Sequence, residues 1–157
     1  MAENLIISDG TKEQKYQTLL QQVIALAENE SDTIALMANI SSMIHHTFGF
    51  FWTGFYRVSG DELVLGPFQG PLACTRIKFG RGVCGTAWKR AETVIVADVD
   101  KFPGHIACSS ASRSEIVVPV FEDSRVTAVL DIDSDKTDTF DETDKEWLEK
   151  ICWMIAG

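Results

Sequence analysis

Apolar residues recur at Tyr16, Leu19, Leu20, Val23, Ile24 and Ala27, the three-and-four spacing of a helix that buries one stripe. Thr11 with Gln14 fits a capping box, so this helix should begin at Thr11. A second helix opens near Ser31 or Asp32, runs through Ile34, Met37, Ile40 and Ile44, and stops at Gly49. From Phe50 the period changes. Residues 51–58 and 63–68 are rich in aromatic and branched side chains and flank Ser59-Gly60-Asp61, the pattern of a hairpin. After Gly66-Pro67 and Gly70-Pro71, residues 74–79 read as a strand, and Gly80-Arg81-Gly82 leads into a short helix over 83–91. Residues 94–98 form the next strand. The stretch 99–114 carries Pro103-Gly104 and four serines with no core pattern, and is expected to be a loop. A second hairpin, 115–121 with 125–133, precedes a final helix from Asp141 to about Ile155, with an acidic first turn and a stripe of Leu148, Ile151 and Ile155.

The order ααβββαβββα, with strands joined mostly as hairpins, predicts an α+β fold: a central antiparallel sheet of about six strands, helices packed on one face, and a loop-covered ligand pocket on the other. A length of 157 residues with no repeat or linker suits one domain spanning 1–157. Hydrophobic residues at 45% and charged residues at 24% exclude a disordered or low-complexity chain. The net charge of -9 disfavours nucleic acid and anionic membranes as partners. Most of the excess lies between Glu122 and Glu149, where eleven acids face three bases. The longest apolar runs are about six residues, such as 116–121, far short of a membrane helix. The first residues lack a basic leader and an apolar signal core, so a cytoplasmic location is expected. In that compartment Cys74, Cys84, Cys108 and Cys152 read as core residues, ligands or redox groups rather than permanent bridges.

A turn at Glu122-Asp123-Ser124 would set Phe121 opposite Arg125 and Glu115 opposite Asp131, with Asp133 diagonally beside them. All three carboxylates then share one sheet face. They form either a solvated acidic edge or a cluster that shares protons, holds at least one near neutrality, and could grip an ammonium group. A divalent cation ranks lower, because no calcium-loop spacing follows Asp131. Cys108 sits among small polar residues on the expected loop, Cys74 starts a strand, and Cys84 lies near a helix N-terminus whose dipole would favour a thiolate. Cys152, beside Ile151, Trp153 and Ile155, reads as a packing residue. Gaps of nine and twenty-three residues between the first three cysteines, without a Cys-x-x-Cys pair, argue against structural zinc, and no metal or cofactor is expected. A thiol hydrolase would pair Cys108 with His105, His45 or His46, and no motif around Cys108 supports one. Trp52 and Tyr56 share a strand face with Gly54 between them, as an aromatic box or as ordinary sheet core.

The segment Phe102-Pro-Gly-His-Ile-Ala-Cys108-Ser-Ser-Ala-Ser-Arg-Ser-Glu115-Ile-Val-Val-Pro119, with Gly80-Arg-Gly-Val-Cys84-Gly-Thr-Ala-Trp88 and Asp131-Ile-Asp133-Ser, closely resembles the free methionine-R-sulfoxide reductases, which are GAF-domain enzymes. The resemblance runs from about the first helix to the C-terminus. It implies a GAF-like fold, Cys108 as the catalytic cysteine, Cys74 as the main resolving cysteine and Cys84 as an auxiliary one. Trp52 and Tyr56 would line the methyl end of the pocket, with Glu115, Asp131 and Asp133 holding the sulfoxide oxygen and the substrate amine. Free methionine sulfoxide is the implied substrate, a thioredoxin-like dithiol the implied reductant, and a homodimer the expected assembly. The competing reading is a GAF sensory module that binds a small ligand without catalysis. Such a module has no need of three cysteines together with an acid cluster.

Overall fold

The computed structural model describes residues 4–105 and 110–156, so Cys108 lies outside the described residues. Helix α1 (Lys12–Asn29) is closed at its start by both halves of the expected capping box, Thr11 to the Gln14 amide and the Gln14 side chain back to Thr11. Helix α2 (Thr33–Phe48) starts on Asp32, whose carboxylate accepts from the Ala35 amide at 2.9 Å. It ends at Gly49, where φ of 69° is the left-handed conformation that suits glycine. Strands β1 (Trp52–Ser59) and β2 (Glu62–Gln69) pair through Ser59 opposite Glu62, so their turn is Gly60-Asp61, one residue tighter than the sequence suggests. Strand β3 (Arg76–Lys78) is shorter than the 74–79 expected, and α3 (Gly82–Arg90) follows. Strands β4 (Val94–Val96), β5 (Ser114–Glu122) and β6 (Arg125–Ser134) then lead to α4 (Glu142–Ala156). The element order is the one read from the pattern. A short 3-10 turn at Val99–Lys101, capped by Asp98, lies inside the expected loop.

The six strands form one antiparallel sheet in the order β3-β2-β1-β6-β5-β4. Helices α1, α2 and α4 cover one face, burying Leu19, Ile40 and Ile151 against Phe55, Ile116 and Leu130. Cys152 belongs to this apolar layer, and burial pushes its thiol up. The sequence expectation put helices on one face only, yet α3 packs on the opposite face with Val83, Cys84 and Ala87 against Val117 and Val129. Its two-glycine entry and its brevity let it close one side of the pocket rather than join the helical layer. Among the described residues no helix is long and apolar enough to cross a membrane.

One polar group sits deep in the helical layer. Asp144 of α4, 1% exposed, accepts from the Tyr16 hydroxyl at 2.6 Å, from Lys12 Nζ at 2.7 Å and from the Asp141 amide at 2.9 Å. Tyr16 also lies parallel to Trp147, with ring centroids 6.3 Å apart. The first and last helices are thereby joined through one carboxylate.

Candidate active site

The β5–β6 hairpin turns on two residues, Asp123 and Ser124, at φ of 51° and 66°, with Glu122 opposite Arg125. Positive φ at both central residues matches the right-handed twist of the flanking strands, which is why this turn replaces the three-residue one expected. A bulge follows: Phe121 pairs with Val126 and Val120 with Ala128, leaving Thr127 unpaired. The two offsets add, so Glu115 faces Asp133 and Val117 faces Asp131, correcting the expected pairing of Glu115 with Asp131. Because side chains alternate, a shift of two preserves the face. Glu115, Asp131 and Asp133 still converge on the pocket side, beside Cys84 of α3.

On the other edge of β6, strand β1 sets Trp52 opposite Asp133 and Gly54 opposite Asp131, bringing the aromatic residues and the acids onto one surface. Trp52 stacks on Phe68 at 5.2 Å and on Tyr56 at 6.0 Å, and its ring N–H donates to the Pro71 carbonyl at 3.0 Å. Tyr56 donates its hydroxyl to the Cys74 carbonyl at 2.8 Å, which ties the cysteine to the aromatic wall. Burial, and then the charge of Asp131, push the Tyr56 phenol well up, so it stays a donor. Gly54 is needed by contact: a Cβ there would meet Phe68 Cβ and come within 2.7 Å of Trp52 Cη2. Gly54→Ala should therefore cost about 1–3 kcal/mol and displace the Trp52 ring. Thermal melting with tryptophan fluorescence tests this, and an unchanged melt and spectrum would count against the packing role.

The acids are no solvated edge, since Glu115 and Asp131 are 5% and 6% exposed. Burial raises all three carboxyls above their ordinary range, and for Glu115 and Asp133 the charge of Asp131 adds to it. The proximity of Glu115, the Cys84 thiol and Asp133 to Asp131 opposes its rise. The cluster therefore disfavours three negative charges at once and shares its protons among its members. Ser112 donates to Asp133 Oδ1 at 2.9 Å, and His105 Nε2 lies 3.9 Å from Glu115 Oε1. Nothing in the sequence singles out Ser112, and His105 reads there as an ordinary surface histidine or a thiol-hydrolase partner, not as a neighbour of Glu115. Their positions on either side of residues 106–109, next to the acid-bearing strand, are the only signal pointing to either.

The cysteines divide. Cys74 is disulfide-bonded, while Cys84 and Cys152 are free thiols. Cys84 lies in the first turn of α3, where its dipole would favour a thiolate, yet burial and then the neighbouring acids push the thiol well above its usual range. The helix N-terminus is outweighed because Cys84 is buried against carboxyl groups.

Residues 17–153 match the GAF domain model, in keeping with a curled antiparallel sheet holding a ligand pocket. A GAF domain-containing protein A of Dictyostelium discoideum is 55% identical over 99% of this chain and 99% of its own. The free methionine-R-sulfoxide reductase of Saccharomyces cerevisiae is 43% identical, covering 94% of this chain and 87% of its own. The X-ray structure of the free methionine-R-sulfoxide reductase of Neisseria meningitidis in complex with its substrate superimposes with a TM-score of 0.95 at 51% identity, covering 98% of this chain and 93% of that one. The chain belongs to the free methionine-R-sulfoxide reductase family of GAF-domain enzymes.

Proposed function

We propose that this protein reduces free L-methionine-(R)-S-oxide to L-methionine, with Cys108 as the attacking thiol, in a single GAF-like domain. The observation that carries the reading is the cluster of Glu115, Asp131 and Asp133, held away from water with their carboxyls raised and walled by Trp52 and Tyr56. A sulfoxide oxygen leaves only when protonated, and a carboxylic acid kept neutral by its surroundings can supply the proton. Glu115 or Asp133 fills that role, while the Asp131 carboxylate matches the substrate ammonium. As positive charge builds on sulfur, the Trp52 face stabilises it and packs the S-methyl group. The thiol of Cys108 takes the oxygen and becomes a sulfenic acid as methionine leaves. Condensation with the Cys74 thiol then gives a disulfide and water, and an external dithiol of the thioredoxin class reopens it. Support for this pairing is that Cys74 is disulfide-bonded whereas Cys84 and Cys152 are free. Cys84, lining the same pocket, is the auxiliary thiol. The enzyme would act as a cytoplasmic homodimer.

The experiment is to incubate the protein with mixed free methionine R- and S-sulfoxides and dithiothreitol, and to quantify each epimer by chiral chromatography. Selective loss of the R form is expected; no change in either, with the thiols shown to be reduced, would sink the proposal.

Glu115→Gln keeps the shape and removes the proton. It should lower kcat by about 100-fold or more, with KM moving less. The same variant should change the pH dependence of stability. A carboxyl whose folded pKa is raised costs the native state nothing below its unfolded pKa, and stability falls as pH rises through the folded value. Glutamine cannot ionise, so at pH 8 the variant should be more stable by about 1 kcal/mol, a gain that disappears near pH 4. Urea melts at both pH values check this.

A further inference from the structure

The Cys84 thiol, a Glu115 carboxylate oxygen and an Asp131 carboxylate oxygen all lie within 4.8 Å of one another, and all three residues are buried. They come from α3, β5 and β6, so no sequence spacing announces them. Among the described residues, buried Asp131 Oδ1 has no hydrogen-bond partner, although the side chain lines the pocket. An unpaired buried acceptor of this kind carries a desolvation cost that a cation can relieve. We propose that Cys84, Glu115 and Asp131 form a binding site for a zinc-class divalent cation on the floor of the pocket, whose occupancy shuts out an ammonium-bearing ligand.

The donor set selects the ion. Calcium and magnesium take oxygen ligands, whereas one sulfur with two carboxylates suits zinc and its neighbours in the first transition row. Zinc bonds of about 2.1 Å to oxygen and 2.3 Å to sulfur place tetrahedral ligands about 3.5 Å apart. From separations of at most 4.8 Å the ligand atoms need to close by no more than about 1 Å, which side-chain rotation can supply. Three protein ligands leave the fourth position to water, as in open zinc sites. His105, 3.9 Å from Glu115 Oε1, stands where an outer partner would orient that carboxylate. The protons held by the thiol and the carboxyls go to solvent as the metal enters. Asp131 cannot serve the metal and an ammonium at once, which makes the two ligands exclusive.

Cobalt(II) is the probe, because a thiolate bound to it absorbs in the near ultraviolet. One equivalent added to metal-free protein should produce the band, and zinc should abolish it. Cys84→Ser should raise the cobalt Kd at least tenfold and remove the band; Asp131→Asn, which keeps the thiol, should weaken binding too. Cys152→Ser should leave the band unchanged. In a Cys108→Ser background, which cannot turn the substrate over, free methionine sulfoxide should reverse the band in proportion to its concentration. A missing band, a band that survives Cys84→Ser, or a band untouched by sulfoxide that binds the metal-free protein would overturn the proposal. The exclusion clause rests on the reductase reading. If sulfoxide fails to bind the metal-free protein by tryptophan fluorescence, that reading falls, while a Cys84-dependent band still stands for the metal site.

Discussion

Cys108→Ser should lose at least about 1,000-fold in turnover of free methionine-R-sulfoxide while its melting temperature stays within about 2 °C of the parent. A serine hydroxyl is a far weaker nucleophile than a thiolate and has no sulfenic state, so neither the attack on sulfur nor the later disulfide can occur. Binding should survive, because Trp52, Asp131 and Asp133 are untouched. The variant also separates the two readings of the fold: a sensory module would bind ligand equally well with either residue and turn over nothing in either form. Cys74→Ser should give a different defect. Its first turnover proceeds, the sulfenic acid on Cys108 persists long enough for dimedone to trap it, and steady-state cycling slows. Chromatographic assay of methionine formed, with mass spectrometry of the trapped adduct, measures both. Turnover by Cys108→Ser within tenfold of the parent would remove Cys108 from the chemistry.

Asp144→Ala should be strongly destabilising although the residue lies outside the pocket. The carboxylate is 1% exposed and satisfies the Tyr16 hydroxyl, Lys12 Nζ and the Asp141 amide together. Its removal leaves the Tyr16 hydroxyl buried without this acceptor and takes away the polar link between α1 and α4, leaving their apolar packing to hold them. Truncating one partner of a buried, hydrogen-bonded charge pair costs about 3–5 kcal/mol. Lys12 is partly exposed, which places this case near the lower end. At about 2–4 °C per kcal/mol for a domain of this size, the melting point should drop by about 10 °C. Asp144→Asn, which can still accept from Tyr16, should lose less. Thermal denaturation followed by circular dichroism decides it, and a fall under 3 °C for the alanine variant would show that the network contributes little.

Much of the architecture is written locally. Thr11 with Gln14 and Asp32 mark helix starts because they satisfy orphan amides within three residues, and Gly49 marks a stop because its backbone is left-handed. Alternation puts Glu115, Asp131 and Asp133 on one face and Trp52 with Tyr56 on one face, and the family resemblance assigns both sets to the pocket they line. Non-local features were less legible. The strand partners of Glu115 depend on the turn chosen by Asp123-Ser124 and on Thr127 slipping out of register, both settled by sheet twist rather than by any one residue. The protonated state of Cys84 depends on acids brought to it from β5 and β6, against a helix dipole that sequence can see. Gly54 looks like a weak point in a strand until the Trp52 ring occupies the space that its missing side chain leaves.

The unpaired Thr127 also governs which length changes this hairpin can absorb. On the near side of it Val126 packs toward the pocket, and on the far side Ala128, Leu130 and Ile132 pack toward the helices. Deleting that one residue with the turn held fixed would leave Phe121 opposite Val126 and Val120 opposite Ala128 in an unbroken ladder, so Leu130 and Ile132 would stay toward the helices and Asp131 and Asp133 toward the pocket. The hairpin can therefore lose a single residue at this place and keep its acids on the pocket face, giving up only the local twist that the bulge adds.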